Sequence, residues 1–250
     1  MIDVSFRFYG SLNDFLPVRW RGSRITYQLR TPGSVKDTIE ALGVPHPEVD
    51  FLVINGSPHT FDARLHDGDV VAVYPAFKSI EIDADDRVGI DPPRPRRFAL
   101  DIHLQKLASR LRLAGFDAVV IADDAALAET GAATDRIVLT RDVALLKRKA
   151  VRHGYWVRHT DPDLQLSEIL ERFDLTADMQ PFARCSRCNT LVVPVDPDMV
   201  AGLVPARTWE CVREFHWCPG CNQVYWRGSH YERLVHLVEL AKERARANSR

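Results

Sequence analysis

Ile137-Val138-Leu139-Thr140-Arg141-Asp142-Val143-Ala144-Leu145-Leu146 reads as a buried strand, a short polar turn and the start of a helix. A brief apolar run closed by polar residues fits a strand covered on both faces. The same unit recurs on either side. Phe98-Ala99-Leu100 is a strand, and His103 to Leu113 a helix with Leu104, Leu107, Ala108 and Leu111 on one face, ended by Gly115. Ala118 to Ala122 and Ala125 to Ala133 form the next strand and helix. After Ile137-Val138-Leu139 the helical pattern runs from Val143 to Val151, then Tyr155-Trp156-Val157 and Leu164 to Phe173 complete a fourth unit. Repeated strand–helix units predict a parallel sheet with right-handed crossovers.

The strands end on acid: Asp101, Asp123-Asp124 and Thr140-Arg141-Asp142. In a parallel sheet these ends share one edge, where open α/β folds place their ligands. Carboxylates gathered there repel one another, and a divalent ion resolves the conflict, with oxygen ligands favouring magnesium or manganese. An ion so held can activate water against a phosphodiester. The competing reading is that each aspartate is an ordinary helix N-cap. Asp161 and Asp163, after the fourth strand, and Thr140 are candidates for a further ligand. Asp117 precedes its strand and reads as a structural turn residue.

Cys185-x-x-Cys188 and Cys218-x-x-Cys221 have the spacing of a zinc ribbon. Four thiolates make a closed tetrahedral shell, the mark of a structural zinc site; an iron–sulfur centre or a redox pair are the alternatives. Cys211 reads as a buried thiol outside the shell, and His216 is not needed by it. Trp226, Arg227, His230 and Tyr231 together can stack on and pair with a nucleotide, although His230 also reads as a structural hydrogen-bonding residue. Leu234 to Arg250 has the pattern of an amphipathic helix with a charged end.

Residues 1–78 follow a different rhythm. Val4, Phe6 and Phe8 alternate with polar residues, as do Ile25, Tyr27 and Leu29. Ser34 caps a helix from Val35 to Leu42, which Gly43 ends. Asn55-Gly56 marks a hairpin after Phe51–Ile54, and Asp67-Gly68-Asp69 turns the chain into a last strand, Val70 to Tyr74. This order predicts a β-grasp fold. Acidic and then proline-rich residues 79–95 read as a linker.

The formal net charge of −1 argues against coating of nucleic acid by electrostatics alone. Basic clusters, among them Arg112 and Arg141, fit either solvated faces or phosphate contacts. The sequence offers neither an 18-residue apolar run nor a signal-peptide pattern, and the paired cysteines suit a reducing compartment. The expectation is a cytoplasmic protein with no membrane partner.

Two resemblances sharpen the reading. Val53-Ile54-Asn55-Gly56 and Leu65 to Pro75 resemble the ubiquitin-like sulfur carriers, but the chain runs on through Ala76-Phe77-Lys78 without their diglycine end. That implies a shared fold and a binding face for a protein partner, not sulfur transfer. Arg97 to Asp101, Leu111 to Asp117, Ile137 to Asp142, Cys185 to Thr190 and Tyr225 to Tyr231 resemble the Mut-seven C-terminal-type RNase family, which is PIN-like and carries a zinc ribbon. Many members have a ubiquitin-like domain in front.

The resemblance implies a ribonuclease, endo or exo, with Asp101, Asp124 and Asp142 as the catalytic set and Asp161 as an additional ligand. Asp124 is preferred to Asp123 because it opens the helix. The expected organisation is an α/β chain: a β-grasp domain (1–78), a linker (79–95), a PIN-like parallel-sheet core (96–175), and a zinc ribbon with a C-terminal helix (176–250). Structural zinc, catalytic magnesium or manganese, and RNA are the expected cofactors and partner. RNA contacts fall to Arg112, Arg141, Trp226, Arg227 and His230. The alternative is a non-catalytic RNA- or ribosome-associated binding module.

Overall fold

A computed structural model describes residues 1–76, 82–228, 231–232, 235–237, 239–240 and 243. His230 and most of the expected C-terminal helix lie outside the described residues. Contacts sort the chain into two compact units, 1–93 with 124–156, and 94–123 with 157–250.

The first unit begins with the expected β-grasp. Strand β1 (Ile2–Phe8) pairs antiparallel with β2 (Arg24–Leu29), and α1 (Val35–Ala41) follows. The Ser34 side chain accepts from the Asp37 amide at 3.1 Å, the cap its sequence announces. Strand β3 (Phe51–Ile54) turns through Asn55-Gly56, both with positive φ, into β4 (Ser57–Pro58). Strand β5 (Val70–Tyr74) then runs parallel to β1 and antiparallel to β3, giving the order β2-β1-β5-β3-β4. Alternation turns Val4, Phe6, Phe8, Val71 and Val73 onto one face, where they bury against Val35 and Ile39 of α1.

Each unit holds a pair of parallel strands joined through a helix. In the second unit, β6 (Arg97–Asp101), α2 (Gln105–Leu113) and β7 (Asp117–Ile121) form one βαβ, with Asp101 in register with Ile121. In the first, α3 (Asp124–Ala133), β8 (Ile137–Thr140), α4 (Val143–Leu146) and β9 (Gly154–Trp156) form another, with Thr140 beside Trp156. Helix α5 (Pro162–Arg172) packs on α2. Helix α4 is shorter than the Val143–Val151 expected. Beyond Leu146 the backbone closes i→i+3 turns, Lys147 to Ala144 and Arg148 to Leu145, and Lys147 Nζ is drawn to the Glu40 carbonyl at 2.7 Å.

Within the first unit the β-grasp and the 143–156 stretch are tightly joined. His46 Nε2 meets the Val151 carbonyl at 3.0 Å, buried Glu48 accepts the Trp156 amide at 2.7 Å, and Phe15 packs on the Trp156 ring. The β-carbon of any residue replacing Gly154 would come within 3.4 Å of Pro47 and closer still to Leu146.

The second unit ends in a three-stranded antiparallel ribbon: β10 (Val193–Val195), α6 (Pro197–Val200), α7 (Ala206–Cys211), β11 (Phe215–Trp217) and β12 (Val224–Trp226), the strands in that order. Its small core is Val200, Val204, Phe215 and Val224. Among the described residues no helix is long and apolar enough to cross a membrane.

Candidate metal centre and carboxylate edges

The four cysteine sulfurs are brought together, all within 4.8 Å of one another. Each pair sits in the same local device. The Cys185 amide donates to Thr190 and the Asn189 amide to Cys185; the Cys218 amide donates to Gln223 and the Asn222 amide to Cys218. Asn189 and Asn222 both hold positive φ, at 72° and 59°, a conformation asparagine tolerates better than most residues. The two turns are therefore copies, each aiming two sulfurs at a shared centre.

The sulfurs approach to 3.5 Å (Cys185 to Cys221) and 3.3 Å (Cys188 to Cys218). A tetrahedral zinc with bonds of about 2.3 Å sets sulfurs roughly 3.8 Å apart, so the donor set fits that ion with little adjustment. The thiols differ in acidity: the Thr190 hydroxyl and amide hold Cys188 down at about 6, while burial pushes Cys221 up to about 12. A cation would let all four ionise together. Any β-carbon at Gly220 would lie 2.4 Å from Thr190 Oγ1 and 3.3 Å from Cys188 Sγ, so the second turn needs glycine. Cys211, expected to be buried, is exposed and lies outside the group: α7 carries no buried residue.

Around this centre stand groups the sequence reading overlooked. Tyr225 Oη touches Cys185 Sγ at 3.0 Å and accepts the Ser186 amide at 3.1 Å. Asn189 donates to Asp117 at 2.7 Å and accepts the Ala118 amide, tying the first turn to the start of β7 and bearing out the structural role of Asp117. Arg112, expected at an RNA surface, is buried. It donates to the Ala118, Ser186 and Arg187 carbonyls and anchors the ribbon, which corrects its expected role as an RNA contact. The signal available in sequence was the strand alternation that sets Tyr225 on the opposite side from Val224 and Trp226.

The aspartates occupy the strand ends foreseen. Asp101, the last residue of β6, is buried and its Oδ1 accepts the His103 amide at 2.8 Å. Asp124 opens α3 and is exposed. Asp142 caps α4, accepting from Ala144 at 2.7 Å, and its own amide donates to Thr140 Oγ1 at 2.9 Å. Asp161 caps α5, accepting from Asp163 and Leu164. Asp163 holds Arg110 at 2.7 Å. Thus Asp101, Asp142 and Asp161 each have one carboxylate oxygen fixed by a helix start, which orients the side chain. Arg141 is exposed, and its carbonyl accepts Trp156 Nε1.

Trp226 and Arg227 line a cavity of about 680 Å³ in the second unit. Arg227 lies 5.5 Å over the Tyr231 ring and 3.8 Å from Glu214.

Comparison with known families finds two matches. The family described as Mut7-C RNAse domain matches residues 96–238. The family described as Mut7-C ubiquitin matches residues 1–81. No curated protein and no solved structure matches the chain.

Proposed function

The chain belongs to the Mut7-C RNAse-domain family, and from that premise we propose that it is a metal-dependent ribonuclease hydrolysing RNA phosphodiester bonds at an aspartate-lined, PIN-like site. The observation carrying this is that aspartates stand at or just beyond the C-terminal ends of parallel strands inside the stretch that matches the family: Asp101 ends β6, Asp124 follows β7 and Asp142 follows β8.

Asp101, Asp124 and Asp142, with Asp161 as an additional ligand, would hold magnesium or manganese, ions that take carboxylate oxygens. When bound, such an ion supplies charge for the phosphodiester transition state and lowers the pKa of water. The residues themselves contribute orientation. The His103 and Ala144 amides each engage one oxygen of Asp101 and Asp142, and the Thr140 hydroxyl fixes the Asp142 backbone. Arg141, Trp226 and Arg227 are read as contacts to RNA, with His230 proposed from sequence alone. The four cysteines would hold a structural zinc. The ubiquitin-like domain, whose β2 forms one edge of its sheet, is read as a surface for a protein partner.

A second reading rests on the caps themselves. Helix capping alone accounts for Asp101, Asp142 and Asp161, and so favours a non-catalytic RNA-binding module. Purified protein with manganese and single-stranded RNA separates the two. The ribonuclease reading expects cleavage that Asp101→Asn and Asp142→Asn abolish. Equal cleavage by wild type and variants, or RNA binding with no cleavage in any divalent ion, would overturn it.

A further inference from the structure

The cavity beside the ribbon has a wall chemistry that zinc binding does not explain. Phe182, Tyr225, Trp226 and Tyr231 give it aromatic surface, and Arg110 and Arg227 give it guanidinium groups, with Glu214 as the opposing carboxylate. Its volume of about 680 Å³ lies in the range of small-molecule and nucleotide pockets. We infer that this cavity receives one unstacked nucleobase of single-stranded RNA, with Arg227 on the adjoining phosphate.

The aromatic floor is set before any ligand arrives. Phe182 and Tyr231 stack at 4.3 Å between ring centres, with their planes 28° apart. Phe182 is held at φ 67°, a conformation bulky residues seldom adopt, by its amide's bond to the Leu113 carbonyl. Tyr231 carries Arg227 above its ring. When Arg227 turns from the Tyr231 ring to a phosphate, the ring face that it uncovers, backed by Phe182, can stack on a base. The two arginines differ in readiness. Arg110 is engaged with Asp163 at 2.7 Å, whereas the Arg227 side chain is 70% exposed and only 3.8 Å from Glu214. Arg227 is therefore the group able to turn to a phosphate. A base paired within a duplex would have to be unstacked and unpaired, at a cost in free energy, to enter, which favours single strands as the substrate class.

The inference rests on the RNA reading but not on cleavage. The full chain is titrated, without added magnesium or manganese, against a single-stranded RNA carrying one 2-aminopurine, with RNA integrity checked on a gel. Binding should change the 2-aminopurine fluorescence. Tyr231→Leu and Arg227→Gln should each weaken binding about 10-fold, the loss expected for one stacking or phosphate contact. Binding of a duplex of the same sequence should be unaffected, and adenosine monophosphate at high concentration should compete only weakly. Affinities within twofold of wild type in both variants, or equal losses for single strand and duplex, overturn the proposal. If Tyr231→Leu loses zinc, Arg227→Gln decides alone, since its side chain is largely in solvent. Intact base binding in a protein that cleaves nothing would sink the ribonuclease reading and leave this one standing.

Discussion

At the scale of single residues, a carboxylate that only caps a helix differs from one that also binds an ion. Asparagine retains the cap that Asp142 makes with Ala144 but loses the charge. Asp142→Asn should therefore keep wild-type stability and lose activity by more than 100-fold, whereas Asp142→Ala should also lose about 1 kcal/mol of stability. Denaturant titration beside a cleavage assay checks this; wild-type activity in Asp142→Asn would mean the charge is idle. The same scale governs the ribbon. Gly220→Ala would press a methyl group against Thr190 and Cys188, and should lower the zinc content measured by atomic absorption. Tyr225→Phe removes the hydroxyl at Cys185 and Ser186. It should release zinc faster to a chelator while leaving the stoichiometry at one per chain.

Among elements, the sequence told its story unevenly, for physical reasons. The β-grasp was legible because its punctuation is local: Ser34 before α1, Asn55-Gly56 between β3 and β4. The short α4 was not, because Lys147, Arg148 and Lys149 continue a helical composition while Lys147 is spent on a carbonyl 107 residues away. Arg112 misled because an arginine reads as surface in a one-dimensional pattern, and only the fold supplies three carbonyls to bury it. The carboxylate positions were legible from where strands stop. His46 marks the joint between α1 and the stretch after α4, meeting Glu40 at 2.6 Å and the Val151 carbonyl. Burial holds its pKa below the ordinary value, against the pull of Glu40 and Val151. The folded state thus takes up the proton less readily than the unfolded chain. The contribution of this joint is whole above about pH 6.5 and is lost as pH falls toward the lowered value. Thermal melts from pH 7.5 to 5 should show wild type losing its advantage over His46→Gln on acidification. An advantage that grows on acidification would mean that the folded state binds the proton more tightly than the unfolded chain, contradicting this.

For the whole molecule, the two compact units cut across the order of the chain. Residues 124–156, inside the match to the ribonuclease family, group with the ubiquitin-like sheet through His46, Glu48 and Phe15. A chain lacking residues 1–78 should therefore lose hydrogen-exchange protection across 138–156 while keeping it in the zinc ribbon, whose own core is Val200, Val204, Phe215 and Val224. Unchanged protection at 138–156 would make the ubiquitin-like sheet a mere appendage. The zinc ribbon, for its part, is tied within the second unit to α2 and β7 by Arg112 and Asn189, and supplies structure rather than reaction chemistry. That chemistry is assigned to the aspartates, and one measurement tests it most directly: cleavage of a labelled single-stranded RNA by the full, zinc-loaded chain with manganese, wild type against Asp142→Asn. The account predicts manganese-dependent cleavage by wild type and none by the variant, while both bind the RNA equally. Cleavage that persists undiminished in the variant would contradict it.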